Sequence, residues 1–493
     1  MGKRKKPKKA AGRVPSSPHT PLDRHRRHGK KLTPPLATLP KLKPSSWHDD
    51  WLPEMLWAAL LLEGIGRESA LKVFRSLAED ILQLSDDDKP YDVTVTGISH
   101  LDDGTSDALL KHIVSSVEAA GALKALLLFQ DLPARSRWLQ AISIEPTGDD
   151  WNLLASAVAS ALYHQSQAAT DCRWVGVLCM MAGGKLRLPS QETVREYVNY
   201  PDYGDMRKVR PAIRATEMAL RGSLGGEQDR TWAKRFWETS YQTTPCYPLD
   251  AKRTVASPSK GTSIQIIEKV RSALIRHAMG SISSTAPDAK FDIAFGLSIY
   301  SLQILKELMG IGVSTSIMGR ASLRILVEAY ITLSYLIVQN DDELWKKYRT
   351  YGAGQAKLTY LKLEAVSNDK PYVDLETLNE LANEDIWQEF LPIDLGHWEQ
   401  TNLRQMSIDS GTEDTYDAYY SWPSAFVHSH WGAIRDTVFS YCGNPLHRLH
   451  RIPSQKPRAL PDVVADACKL VDLILDCVDK AFPSFAERLC ASS

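Results

Sequence analysis

The stretch Ile317–Val338, IMGRASLRILVEAYITLSYLIV, constrains the fold more than any other part of the chain. Arg320, Arg324 and Glu328 fall at i, i+4 and i+8, so a helix places them in a single charged stripe. Almost every residue after Arg324 is apolar, which predicts a helix buried nearly all round. Charge on a buried helix is costly unless it is paired, so partners from elsewhere in the chain must meet this stripe.

The neighbouring segments carry the same helical signal. Asp288–Met309 reads as one long helix closed by Gly310 and Gly312, and Ser314–Val338 as the central one closed by Gln339-Asn340. Asp341–Val366 is a third, amphipathic helix marked by Trp345, Tyr348, Tyr351, Leu358 and Leu361. Shorter helices are expected at Asp374–Asn383 and Tyr416–Tyr441, and Pro461–Ala481 repeats apolar residues at core spacing. Upstream, composition changes at Trp47, where a domain begins and Pro53 suits a first helical turn. Helices are expected over Ser106–Leu128, Trp151–Gln167 and Ser263–Met279. Tyr91–Ser99 (YDVTVTGIS) is the most strand-like stretch, but one short alternation cannot make a sheet, so it reads as a loop or isolated strand.

The fold class that follows is all-α: two helical domains preceded by a disordered basic tail. The expected divisions are a tail over 1–46, a helical N-terminal domain over 47–244, a linker with one helix over 245–287, and a helical C-terminal domain over 288–493. The formal net charge of zero hides an asymmetry. Residues 1–46 hold fourteen Lys and Arg against Asp23 alone, leaving 45 cations and 58 acids in the rest. Such a tail suits RNA or DNA as a partner, with Lys3, Arg4, Lys5, Lys6, Lys8 and Lys9 as candidate nucleic-acid-binding residues, or suits an acidic body on which it folds back.

Seven scattered cysteines without a CxxC pair argue for reduced thiols in a cytoplasmic protein, and no metal ligand or cofactor is assigned. The N-terminus is polar and lacks an apolar leader region, and uncharged apolar runs such as Ile293–Leu305 are too short to span a bilayer, so no membrane partner is expected. A phosphate-binding GxxxxGK[ST] loop, a GxSxG elbow and an HExxH zinc motif are all absent.

Two sets of residues have chemistry to offer. Arg173, Arg210 and Arg214 lie in segments that mix Arg with acids and Trp; they read either as helix-surface ion pairs with Trp anchors or as a groove facing an anion, and Trp237 would line a pocket of that kind. The segment SWPSAFVHSHW (421–431) puts Ser424 and His428 on one helical face, with His430 on another. An i, i+2 histidine pair is poor metal geometry on a helix, whereas acid–base work suits His428, since histidine as a residue type titrates near neutral pH. A candidate catalytic set is then His428 as acid or base, Arg324 or Arg320 steadying negative charge, Glu328 orienting one of them, and Ser424. The competing reading is a structural polar network among the same residues.

The runs GRASLRILVEAYITLSYL, YRTYGAGQAKL (348–358) and WPSAFVHSHW together resemble a bacterial family catalogued as domain of unknown function 5677, over about residues 288–440. Its Arg-x-x-x-Glu helix corresponds to Arg324/Glu328, and its late Ser-x-x-x-His pair to Ser424/His428. The resemblance implies a bacterial, cytosolic, mostly helical protein and carries no activity. Helical bacterial ribonucleases of the higher-eukaryote and prokaryote nucleotide-binding type carry Arg, four to six residues, then His, a spacing present at Arg13/His19 and Arg271/His277. The function expected is a nucleic-acid-associated effector with ribonuclease-like activity in stress or phage defence; the alternative is a non-enzymatic interaction or scaffold protein.

Overall fold

The computed structural model describes residues 22–29, 31–35, 46–85, 87–223, 231–249, 263–282, 284, 286–365, 373–384, 390–448, 450–455 and 458–490. The chain is predominantly helical and divides into two compact units. The first comprises residues 1–249 together with 441–451; the second comprises 250–440 and 452–493.

In the first unit a turn at Trp47–Trp51 leads into α1 (Leu56–Gly64), α2 (Arg67–Gln83), α3 (Val95–Ser99), α4 (Asp103–Ile113), α5 (Val117–Leu123), α6 (Arg135–Ile142), α7 (Asp150–Leu162), α8 (Gln167–Ala182), α9 (Gln191–Val198), α10 (Met206–Ser223) and α11 (Thr231–Thr243). Seven consecutive residues of α1, Leu56 to Leu62, are buried, so this helix is the axis of the unit. Five indoles tie the surrounding pieces together by donating to distant carbonyls. Trp47 bonds Ala161 at 2.8 Å, Trp57 bonds Val93 at 2.8 Å, Trp174 bonds Tyr197 at 2.6 Å, Trp232 bonds Pro53 at 2.9 Å and Trp237 bonds Asp49 at 3.2 Å. A buried indole N–H left unpaired is penalised, so each bond selects one arrangement of the chain.

Several sequence expectations need correction. Tyr91–Ser99 is loop only in its first part: residues 91–94 are irregular, and Val95–Ser99 is a short helix. Thr94 caps it by accepting from Gly97 N–H at 2.9 Å, and Glu54 accepts from both Thr96 N–H (2.9 Å) and Thr96 Oγ1 (2.8 Å). A side chain at position 97 would meet Asp92 at 2.6 Å, so the turn needs Gly97. These tertiary partners override the β-propensity of Val and Thr. The Ser106–Leu128 pattern is three pieces, ending in a 3₁₀ turn at Lys124–Leu128. In the tail, the described part holds a 3₁₀ turn at Leu22–Arg24 and a two-stranded ladder, β1 (Arg26–His28) with β2 (Lys31–Thr33), where the reading expected disorder. Residues 1–21 lie outside the described residues, and with them Lys3, Arg4, Lys5, Lys6, Lys8, Lys9, Arg13 and His19.

The second unit holds α12 (Ile264–Ser281), α13 (Ala289–Gly310), α14 (Ile317–Gln339), α15 (Asp342–Glu364), α16 (Leu375–Ala382), α17 (Leu403–Asp409), α18 (Glu413–Tyr419), α19 (Ser421–Val427), α20 (Trp431–Val438) and α21 (Val464–Ala481), of which α13, α17, α18, α19 and α21 pack on α14. Asp288, Ser316 and Asp341 cap the three long helices, each side chain accepting an N–H of the first turn. α14 has the length and apolarity of a membrane span, yet α13, α17, α18, α19 and α21 cover it, which is the setting of a core helix. α12, expected in the linker, buries Ile267, Val270 and Leu274 in this core. The single helix expected over Tyr416–Tyr441 is broken twice: Tyr420 separates α18 from α19, and Ser429, at φ +51°, separates α19 from α20.

The first unit contains an acid in an unfavourable setting. Glu54 is 5% exposed, and burial raises its pKa to about 7 against the opposing bonds from Thr96. An acid whose folded pKa lies above its unfolded one binds more protons when folded, so stability falls as pH rises from about 4.5 to about 7. Thermal unfolding of Glu54→Gln should match the native chain at pH 5 and exceed it at pH 8 by about 2–4 kcal/mol; an equal difference at both pH values would show that Glu54 is ionised throughout.

Candidate functional site

The three charged residues of α14 have different fates. Arg320 is 6% exposed and donates from Nη1 to the Ser314 carbonyl at 3.1 Å, inside its own helix entrance. Gly319 makes that entrance possible, since a Cβ there would lie 2.7 Å from the same carbonyl oxygen. Arg324 reaches α19: its Nε donates to Ser424 Oγ at 2.7 Å and its Nη2 to Tyr420 Oη at 2.8 Å. Its Nη1 pairs with the Glu328 carboxylate one turn along, and the guanidinium carbon sits 3.9 Å from the centre of the Tyr420 ring. Tyr420 in turn stacks on Tyr416 at 4.4 Å. Glu328 is only half-buried, so its attraction for Arg324 is screened; the fixed hydroxyls and the ring do more to hold the guanidinium.

The structure therefore brings together Arg324, Glu328 and Ser424, and adds Tyr420. Tyr420 sits four residues before Ser424, one helical turn away on the same face, which is the signal in the sequence that would have found it. His428 lies outside this group. It caps α19 with its backbone N–H, its side chain is exposed, and its ring stacks on His430 at 6.0 Å. Among the described residues no hydrogen bond joins the His428 ring to Arg324, Glu328 or Ser424. Arg271 and His277, on α12, serve packing: Arg271 donates to Gln303 Oε1 at 3.0 Å, and His277 Nε2 donates to the Phe482 carbonyl at 2.9 Å.

The arginines of the first unit are held by the chain itself. Arg173 lies 4.4 Å from the Trp47 ring centre and 3.4 Å from buried Glu217, which also pairs with Arg221 at 2.5 Å. Arg221 stacks on Trp51 at 4.1 Å. Arg214 donates to Thr170 Oγ1 at 3.1 Å and Arg210 to the Gln165 carbonyl at 3.4 Å. Trp237 packs edge-on against Phe236. Arg173 thus has the ion pair and the Trp anchor, while Arg210 and Arg214 are engaged by neutral oxygens of the chain.

A second cluster was not named from the sequence. Cys246, just beyond α11, and Cys442, His447 and His450 of the returning segment present four donor atoms within 4.8 Å of one another. β3 (Pro248–Leu249) pairs antiparallel with the end of β4 (Phe439–Cys442), Pro248 opposite Cys442, and this register sets the two cysteines side by side. Leu446 is buried in the core of the first unit and anchors the turn at Pro445–His447. Burial lowers the pKa of His447, favouring its neutral ring. The spacing Cys-x₄-His-x₂-His was legible at 442–450, but the fourth donor lies nearly two hundred residues upstream, beyond any spacing rule.

A family model described as a family of unknown function, DUF5677, matches residues 305–443. The resemblance in the Arg324/Glu328 and Ser424/His428 motifs thus extends over α14 to α20. No curated protein and no solved structure matches the chain.

Replacing Arg324 by Ala would strand the Ser424 and Tyr420 hydroxyls at a buried junction. The expected loss is about 2–4 kcal/mol in thermal unfolding. Glu328→Ala, removing a half-exposed partner, should lower stability by about 1 kcal/mol or less. Equal losses from the two variants would contradict the geometry.

Proposed function

We propose that this chain is an interaction or scaffold protein in which the Arg324 cluster fixes helix packing. The observation that carries the reading is how the chain itself engages Arg324. Its Nε and Nη2 donate to Ser424 and Tyr420, its Nη1 faces Glu328 as an ion pair without a hydrogen bond, and the Tyr420 ring covers its face. Ser424 Oγ accepts from Arg324 and makes no hydrogen bond to the His428 ring among the described residues, so the pair lacks the contact that would activate a serine hydroxyl. The ribonuclease-like effector in stress or phage defence needs His428 and Arg324 to act on one substrate, and among the described residues no hydrogen bond joins their side chains.

A second reading rests on charge. Fourteen cations against a single acid in residues 1–46 favour association with RNA or DNA, independent of sequence and weakened by salt. The two readings are compatible: the tail recruits, and the helical body presents surfaces to a protein partner. On both, the protein is bacterial and acts in the cytoplasm.

The test uses three purified proteins: the full chain, His428→Ala, and a chain lacking residues 1–46. Each is incubated with total RNA and with single-stranded DNA, with and without divalent metal, and run on a gel. The expected result is retardation without cleavage, equal for the full chain and His428→Ala, falling with salt and lost with the tail. Cleavage by the full chain and not by His428→Ala would overturn the scaffold reading.

A further inference from the structure

We propose that Cys246, Cys442, His447 and His450 form a closed, tetrahedral zinc site that fastens the returning segment 441–451 to the end of α11. All four residues belong to the first unit. The inference goes beyond the scaffold reading and stands on separate residues.

The distances are those that a bound ion requires. With Zn–S near 2.3 Å and Zn–N near 2.0–2.1 Å, a tetrahedron places its sulfur and nitrogen donors about 3.5 Å apart. Cys246 Sγ lies 3.4 Å from His447 Nδ1 and 3.3 Å from His450 Nε2, and Cys442 Sγ lies 3.4 Å from the same His447 Nδ1.

The protons point the same way. His447 Nε2 faces the Thr244 carbonyl at 3.1 Å and Thr244 Oγ1 at 3.0 Å. Thr244 Oγ1 donates its own proton to the Ser240 carbonyl at 2.7 Å, so both neighbours of Nε2 are acceptors. The ring proton therefore sits on Nε2, and Nδ1 turns a bare lone pair toward two sulfurs. A second hydrogen bond that fixes the tautomer and aims the other nitrogen is how metal-binding histidines are held. Cys442 Sγ also accepts the Tyr247 backbone N–H at 3.3 Å, a bond that holds the sulfur in place. Asn444 completes the support, donating to the Pro245 carbonyl at 2.8 Å and to Thr244 Oγ1 at 3.0 Å.

The donor set selects the ion and the role. Two thiolates and two imidazoles suit zinc, and the absence of any carboxylate from the set disfavours calcium and magnesium. Four protein ligands leave no position for water or substrate, which is the pattern of a structural site. Binding releases the two thiol protons to solvent as the two Zn–S bonds form. The ligands bracket the whole excursion of the chain through residues 250–440, so one ion holds together the points at which the first unit is left and rejoined.

Metal content of the reduced, full-length chain, purified without chelator, should be one zinc per molecule by plasma mass spectrometry. Cys246→Ser, at an exposed position, should lose it, and Cys490→Ser, at an exposed cysteine outside the set, should keep it. Because a ligand variant can misfold, the native chain is also stripped and titrated with Co²⁺, which should give the intense visible bands of a tetrahedral thiolate site at one equivalent. A chain that carries no zinc and gives no such bands overturns the proposal, as does a Cys246–Cys442 disulfide in the native protein, or zinc retained at full stoichiometry by Cys246→Ser.

Discussion

The second unit depends on how one guanidinium is kept out of water. Arg324 lies on the helix that runs through the core, and moving its charge into that environment is tolerable only if every polar edge is met. Ser424 and Tyr420 meet two edges with hydrogen bonds, Glu328 offsets the charge at the third as an ion pair, and the Tyr420 ring covers the face. Because Ser424 and Tyr420 are one turn apart, they specify the register of α19 on α14 as well as the contact. A slide by one residue would strand all three side chains at once. The apolar core formed by α13, α14 and α21 supplies most of the attraction but little of this directional information.

The first unit solves a similar problem differently. Its buried charges, Glu217 between Arg173 and Arg221, are sandwiched by Trp47 and Trp51, so aromatic faces and one shared carboxylate replace a hydroxyl cradle. Residues 441–451 also belong to this unit, a segment that arrives only after the chain has built most of the second unit. Among the described residues of this eleven-residue segment only Leu446 joins the apolar core of the first unit, which leaves it little apolar area with which to hold itself in place. The Cys/His cluster lies at that weak point.

What the sequence disclosed, and what it withheld, follows from locality. The three long helices were legible because period, cap and stop are all short-range: Asp288, Ser316 and Asp341 announce their starts, and Asn340 in the left-handed region marks the end of α14. The pairing of Arg324 with Glu328 was legible for the same reason. Its pairing with Ser424 was visible only as two motifs, since nothing local says that α19 lies on α14. Tyr91–Ser99 misled because its helix is made by Glu54, over forty residues away, and the metal-ligand spacing was hidden because an entire unit separates its cysteines. The tail's charge was plain from composition, and its binding residues fall outside the described region.

The central claim is that Arg324 is a packing device, and a double-mutant cycle between Arg324→Met and Tyr420→Phe tests it most directly. The account predicts a coupling energy in unfolding of about 1 kcal/mol or more, as expected for contacting members of one network. A coupling near zero, with each single variant close to native stability, would contradict it and return Arg324 to the set of residues free to act on a substrate.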